Sequence, residues 1–195
     1  MNPFKLHTPE TAPVGALPIL EAANKGLGFI PNLYAHLAEA PNTLDAYKQL
    51  GALLEKSTLT PTEQQVVLIT VSIENNCAYC VAAHSFLARN MVKVPDHILA
   101  ALRSRQVLPD VKLNALVEFA RAVVHERGWV AGSRELNAFF TAGYTPQNAL
   151  EVVLGVAMKT LSNYANHLTD TPLDAAFANE AWELPEDSAC CREAA

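Results

Sequence analysis

Apolar residues recur at spacings of three and four in almost every window of the chain, while strict alternation never runs far, and this pattern predicts an all-α fold. The first sixteen residues read as extended. Apolar segments at about 17–25 and 32–39 follow, divided by Gly26, Gly28 and Pro31, and residues 43–56 form an amphipathic helix. The strongest start signal comes next. Thr60 as N-cap, Pro61 at the first helical position and Glu63 at the third make a capping box ahead of QQVVLITVSI, which predicts a helix over 61–74. Asn75 and Asn76 interrupt it, because both favour caps and turns over helix interiors, and Asn76 is read as the N-cap of a further helix through CAYCVAAHSFLARN. Helices are expected over 96–104, 111–126 (capped by Asp110, ended by Gly128), 134–141 (capped by Ser133) and 147–167, with a last one over 173–182 after Pro172.

A weak internal echo runs through this pattern. TPTEQQVVL at 60–68 resembles TPQNALEVVL at 145–154, and pairing Gln65 with Glu151 sets Cys77 and Cys80 opposite Asn163 and Asn166. Either a duplicated helical hairpin or chance likeness between two capped helices accounts for it.

Composition narrows the class. Half of the 195 residues are hydrophobic and 17% are charged, far from the polar make-up of disordered chains, and a chain of this length buries roughly 70% of its unfolded surface. Residues 1–195 read as one domain with its core motif at 59–89 and a tail over 185–195. A net charge of −6 without a Lys/Arg cluster argues against a nucleic-acid partner. The proline-rich start lacks the apolar stretch of a signal peptide and no run approaches a membrane span, so a soluble cytoplasmic protein without a membrane partner is expected. No cofactor or metal is called for. A homo-oligomer is consistent with the abundance of apolar residues.

The candidate chemistry lies in Cys77, Cys80 and His84. Four cysteines are too few for a secreted disulfide framework, and the adjacent Cys190 and Cys191 fall in the tail. A CxxC in the first turn of a helix meets unpaired N–H groups and the positive end of the macrodipole, which favour a thiolate. His84 follows Cys80 by four residues and shares its face, so Cys80 is the thiol with a base in reach. The reading is Cys80 as nucleophile, His84 as proton acceptor and Cys77 as the thiol that resolves a sulfenic acid or mixed disulfide. The plainer reading is two small hydrophobes and a packed histidine in a buried helix. A structural zinc site needs four ligands and this segment offers three.

The stretch from Leu59 to Arg89, with CAYCVAAH at its centre, resembles the carboxymuconolactone decarboxylase superfamily, in its alkylhydroperoxidase D-like (AhpD-like), peroxidase-related branch. FIPNLYAHLAEAP at 29–41 and LSNYANHLTDTPLD at 161–174 are similar to segments flanking that core, so the resemblance spans most of 25–178. It implies an all-helical oligomer with active sites near subunit contacts, reduction of a small hydroperoxide, and regeneration by an external dithiol such as a lipoyl protein. It also implies Cys80 as peroxidatic thiol, Cys77 as resolving thiol and His84 as proton relay. A non-enzymatic redox sensor or binding protein, or a lactone decarboxylase using His84, are the alternatives.

Two positions depart from the family pattern. Gln65 stands twelve residues before Cys77 where the family usually has a glutamate, and an amide orients a histidine but takes no proton at neutral pH. Glu63 is engaged by its cap and Glu74 lies at the helix break, which leaves Glu151, the partner of Gln65 in the echo, as a substitute carboxylate. Tyr79 replaces a second histidine between the cysteines, with packing as its expected role. Asn163, Tyr164, Asn166 and His167 are either polar helix-end residues or part of the same pocket; Trp129 is placed at an interface, and His36, His97 and His125 at the surface or a rim.

Overall fold

The computed structural model describes residues 3–185, so Cys190 and Cys191 lie outside the described residues. Nine α-helices span them: α1 Leu17–Leu27, α2 Asn32–Leu37, α3 Pro41–Glu55, α4 Pro61–Glu74, α5 Ala78–Leu87, α6 Asp96–Arg103, α7 Val111–His125, α8 Arg134–Thr141 and α9 Pro146–Thr169. Short 3-10 turns at Val14–Ala16 and Ala175–Glu180 and a π-turn at Ala88–Val92 complete the set, and no strand occurs among the described residues.

The helix starts follow the local sequence. Thr60 accepts the Glu63 N–H at 3.3 Å while the Glu63 carboxylate accepts the Thr60 N–H at 2.8 Å, closing the capping box of α4. Asp110 and Ser133 cap α7 and α8 through the N–H groups of Leu113 and Leu136. Thr145 opens α9 with a second capping box, in which Asn148 takes the place of the acidic residue.

Helix α4 is the axis of the fold. From Val66 to Ile73 every residue is buried, the pattern of a helix enclosed on all sides. On one flank Val66, Val67 and Ile69 meet Leu99, Leu102, Leu116, Phe119, Phe139 and Val152 of α6 to α9. On the other, Leu68 joins Leu20, Leu33, Leu44, Tyr47, Met158 and Phe177, and this second cluster also encloses Cys77 and Cys80. Each large aliphatic side chain so buried contributes roughly 1.5–3 kcal/mol. Gly155 lets α9 lie close on α4: a Cβ there would stand 2.8 Å from Val67 Cγ1.

Two predicted elements differ. Asn76 is not the N-cap of the thiol helix. It takes a left-handed φ of 54° as the residue that closes α4, with its N–H on the Ile73 carbonyl and the Cys77 N–H on the Ser72 carbonyl, and the N-cap of α5 is Cys77 itself. The helix expected over 173–182 is a single 3-10 stretch, because the Asp174 side chain reaches across to the Asn32 N–H and the Tyr79 hydroxyl instead of capping its own turn.

Candidate active site

The tight turn between α4 and α5 delivers both cysteines to the interior. With Cys77 as N-cap, Cys80 occupies the third position of the helix, within the turn whose N–H groups carry the positive end of the dipole. Both thiols are free and 1% exposed. One amide serves the pair: Asn166 Nδ2 of α9 donates to Cys80 Sγ at 3.1 Å and lies 3.7 Å from Cys77 Sγ. Ser162, one turn earlier, stands 3.8 Å from Cys80 Sγ.

His84 lies one helical turn beyond Cys80 and is also buried. Its Nδ1 meets Gln65 Oε1 at 3.1 Å. With the amide oxygen as acceptor, Nδ1 carries the proton and Nε2 is left as the basic nitrogen. Burial, followed by the nearby Lys159 ammonium, holds the imidazole well below its ordinary pKa, so it rests neutral.

The two sulfurs are driven apart. Burial opposes a Cys80 thiolate, but a hydrogen bond from the Cys77 thiol, the Lys159 ammonium and the Ser162 hydroxyl outweigh it and bring Cys80 well below the usual thiol range. Donating that hydrogen bond and being buried push Cys77 far up. The arrangement sets a thiolate-prone sulfur beside one whose proton is held more tightly.

Helix α9 supplies more of the site than its sequence foretold. Lys159, Ser162, Asn163 and Asn166 form a buried polar stripe at helical spacing, Lys159 with no exposure at all. Asn163 binds the end of α4, accepting from Asn75 Nδ2 at 2.9 Å and donating to Ser72 Oγ at 3.4 Å. Of the echo partners, Asn166 thus meets Cys80 across the interior, whereas Asn163 binds Asn75 and Ser72 and not Cys77. Tyr164 and His167 point away and are exposed. The signal for Lys159 was a charged residue on the helix row that also carries Ser162 and Asn166. Tyr47 of α3 also faces the cluster; burial, then Tyr34 and the two thiols, raise its phenol well above the ordinary value.

The structure brings Gln65 to His84 but not Glu151. Glu151 accepts from the Thr58 N–H at 2.9 Å and the Thr58 hydroxyl at 2.7 Å, tying the loop before α4 to the start of α9. Glu74 is taken up by Arg105, Arg121 and His125, with its side chain 1% exposed. Tyr79 is a strut: its hydroxyl donates to Asp174 Oδ2 at 2.5 Å and accepts the Leu33 N–H at 3.2 Å. His36, expected at the surface, is buried with Nδ1 on the Lys5 carbonyl; His97, His125 and Trp129 are exposed.

Two cavities, of about 220 and 140 Å³, meet at His84 and share Tyr34 and Tyr47. The first is also lined by Gln65 and Met158, the second by Phe29 and Phe177. A wider groove of about 470 Å³ between α7 and α8 contains none of the thiol-site residues.

The carboxymuconolactone decarboxylase family model matches residues 39–124, which contain Gln65, both thiols and His84. A peroxidase-related protein from Ralstonia eutropha JMP134, described as an alkylhydroperoxidase AhpD core, superposes with a TM-score of 0.78 at 23% identity, covering 89% of this chain and 93% of that one. A peroxidase-related protein from Silicibacter sp. TM1040 superposes at 0.75 and 19% identity, covering 90% and 92%. Residues 39–124 thus match the carboxymuconolactone decarboxylase family, and the fold of the described residues is the AhpD-like one. The debrominase Bmp8 shares the AhpD-like fold, with a TM-score of 0.68 at 20% identity over 86% of this chain and 90% of its own. Among curated proteins, a sequence comparison finds no match. No helix among the described residues is long and apolar enough to cross a membrane.

Proposed function

We propose that this AhpD-like protein is a thiol-dependent hydroperoxide reductase. The observation that carries the reading is the placement of the thiol pair: Cys80 sits at the third position of α5 with Asn166 Nδ2 3.1 Å from its sulfur and His84 one turn further on. Cys80 attacks the terminal oxygen of ROOH; the O–O bond breaks, Cys80 becomes a sulfenic acid and RO⁻ departs. His84 Nε2 takes up the Cys80 proton and passes it to the alkoxide, and Gln65 holds the imidazole in the tautomer that leaves Nε2 free. Cys77 then displaces hydroxide from the sulfenic sulfur and supplies the proton, giving the Cys77–Cys80 disulfide and water. An external dithiol, of the kind a lipoyl group carries, returns both sulfurs to the reduced state. Glu151 stays outside this scheme, engaged by Thr58.

The test is steady-state consumption of cumene hydroperoxide with dihydrolipoamide as reductant. The reduced protein turns over many equivalents, Cys80→Ser is inactive, and Cys77→Ser reacts once and accumulates a sulfenic acid that dimedone traps. Multiple turnovers in both variants would end the assignment, and a single reaction accompanied by a change of assembly would indicate a redox sensor.

A second reading has one observation in its favour. The 140 Å³ cavity at His84 is walled by Phe29, Tyr34, Tyr47, Tyr79 and Phe177, a shape and chemistry suited to a flat ring. A cysteine-to-alanine variant of the debrominase Bmp8 has been solved with 2,3,4-tribromopyrrole, at a TM-score of 0.70 and 20% identity over 84% of this chain. Reductive dehalogenation uses the same sulfurs: Ar–Br and two thiols give Ar–H, a disulfide and HBr. Release of bromide from a bromopyrrole, with no peroxide consumption, would select it.

A further inference from the structure

Lys159 is the least expected residue of the interior. Its side chain is wholly buried in the middle of α9, its ammonium has no hydrogen-bond partner, and no carboxylate pairs with it among the described residues. Taking an ammonium out of water without a counter-ion costs several kcal/mol, so such a group calls for an anion nearby. Acidic side chains do not supply one. Glu63, Glu74 and Glu151 are held by Thr60 and Lys112, by Arg105, Arg121 and His125, and by Thr58, and Asp174 is turned toward Asn32 and Tyr79.

What does lie on its row of α9 is the thiol site. Ser162 follows Lys159 by one turn and stands 3.8 Å from Cys80 Sγ, and Asn166, a further turn on, donates to the same sulfur. We infer that Lys159 is the resident counter-ion of a Cys80 thiolate, a positioning residue that takes over from the missing glutamate of the family's relay. This deepens the proposed function and rests on its assignment of Cys80 as the nucleophile.

The substitution at Gln65 then has a physical reason. A carboxylate–histidine relay serves to remove the thiol proton; where a fixed cation stabilises the thiolate, the residue beside His84 has only to orient the ring, which an amide does. A histidine beside a buried ammonium also rests neutral, in keeping with the electrostatics of His84. The titratable groups facing Cys80 are Cys77 at the N-cap of α5, Tyr79 and His84 on α5, Tyr47 on α3 and Lys159 on α9, while α4 presents the neutral Gln65 and Ser72. Lys159 is the fixed positive charge of the set.

Lys159→Met keeps the length of the side chain and removes the charge. The readout is the pH dependence of Cys80 alkylation by iodoacetamide, followed on the Cys80 peptide by mass spectrometry, together with thermal unfolding of the reduced protein. The unsubstituted chain should titrate below the free-thiol value of about 8.5, and the variant at least about one pH unit higher, with an unfolding temperature unchanged or raised. An unmoved alkylation midpoint overturns the inference. Lys159→Gln is read the same way. Failure of both neutral variants to fold also overturns it, since a charge kept for the thiolate is not needed by the core. Peroxide is absent from the measurement, so loss of the reductase reading through lack of turnover leaves this result standing on its own.

Discussion

Gln65→Glu places a carboxylate beside the histidine, and its effect can be worked from one contact. Oε1 of Gln65 lies 3.1 Å from His84 Nδ1. A carboxylate there stands about 4 Å from the centre of an imidazolium, an attraction of about 4 kcal/mol at an effective dielectric constant of about 20. Gln65 is only half-buried, so solvent screening reduces that attraction to about 1.5 kcal/mol. The His84 titration should therefore move up by about one pH unit. In the unsubstituted protein the folded imidazole titrates below its unfolded value near 6.5, so the unfolded chain binds the extra proton first as pH falls. Stability is complete above about pH 6.5 and is lost on descent toward the folded value; Gln65→Glu narrows that window and softens the loss. The assay is an NMR titration of the His84 ring with urea unfolding at pH 7 and pH 5. In the proposed reductase, the acid limb of peroxide turnover should rise with the ring, because that scheme needs Nε2 free to accept the Cys80 proton. An unmoved His84 titration would refute the reasoning, for it would mean that the Gln65 contact does not govern the ring.

Three further outcomes follow from packing and buried polar groups. Gly155→Ala should destabilise by about 1 kcal/mol in urea unfolding: the helix-propensity gain of ~1 kcal/mol is outweighed by ~2 kcal/mol of overpacking against the stiff Val67, and a stabilised variant would show slack between α4 and α9. Glu74→Ala strands Arg105 and Arg121 and should cost about 3 kcal/mol in denaturant, with Cys80 alkylation unchanged; a loss of reactivity would tie Glu74 to the thiols. Tyr79→Phe removes the hydroxyl shared by Asp174 and the Leu33 N–H and should cost about 2 kcal/mol, and no loss would mean that water replaces it.

Much of this protein was legible from local signals because those signals act locally. The capping box of Thr60 and Glu63, the caps Asp110 and Ser133 and the proline starts at Pro61 and Pro146 fix helix ends through atoms a few residues apart. The i,i+4 relation of Cys80 to His84 is likewise a property of one helix. Asn76 was misplaced because asparagine suits both an N-cap and a left-handed closing residue, and which applies depends on where the preceding helix spends its last carbonyls.

The remainder needed contacts across the chain. Alignment offered Glu151 as the carboxylate for His84, yet it serves Thr58 more than ninety residues away in sequence, and Gln65 keeps the histidine. His36 was sorted to the surface by residue type and is enclosed by the N-terminal segment. Lys159 and Asn166 carry no motif; only the docking of α9 against α4 and α5 turns their row inward to the sulfurs. The sequence by itself determined the all-helical fold, most helix ends and the trio Cys77, Cys80 and His84, since periodicity and capping depend on neighbours within two turns. Tertiary structure alone decided what orients the imidazole and where a buried lysine stands, because burial and charge act through space between residues that the chain keeps far apart.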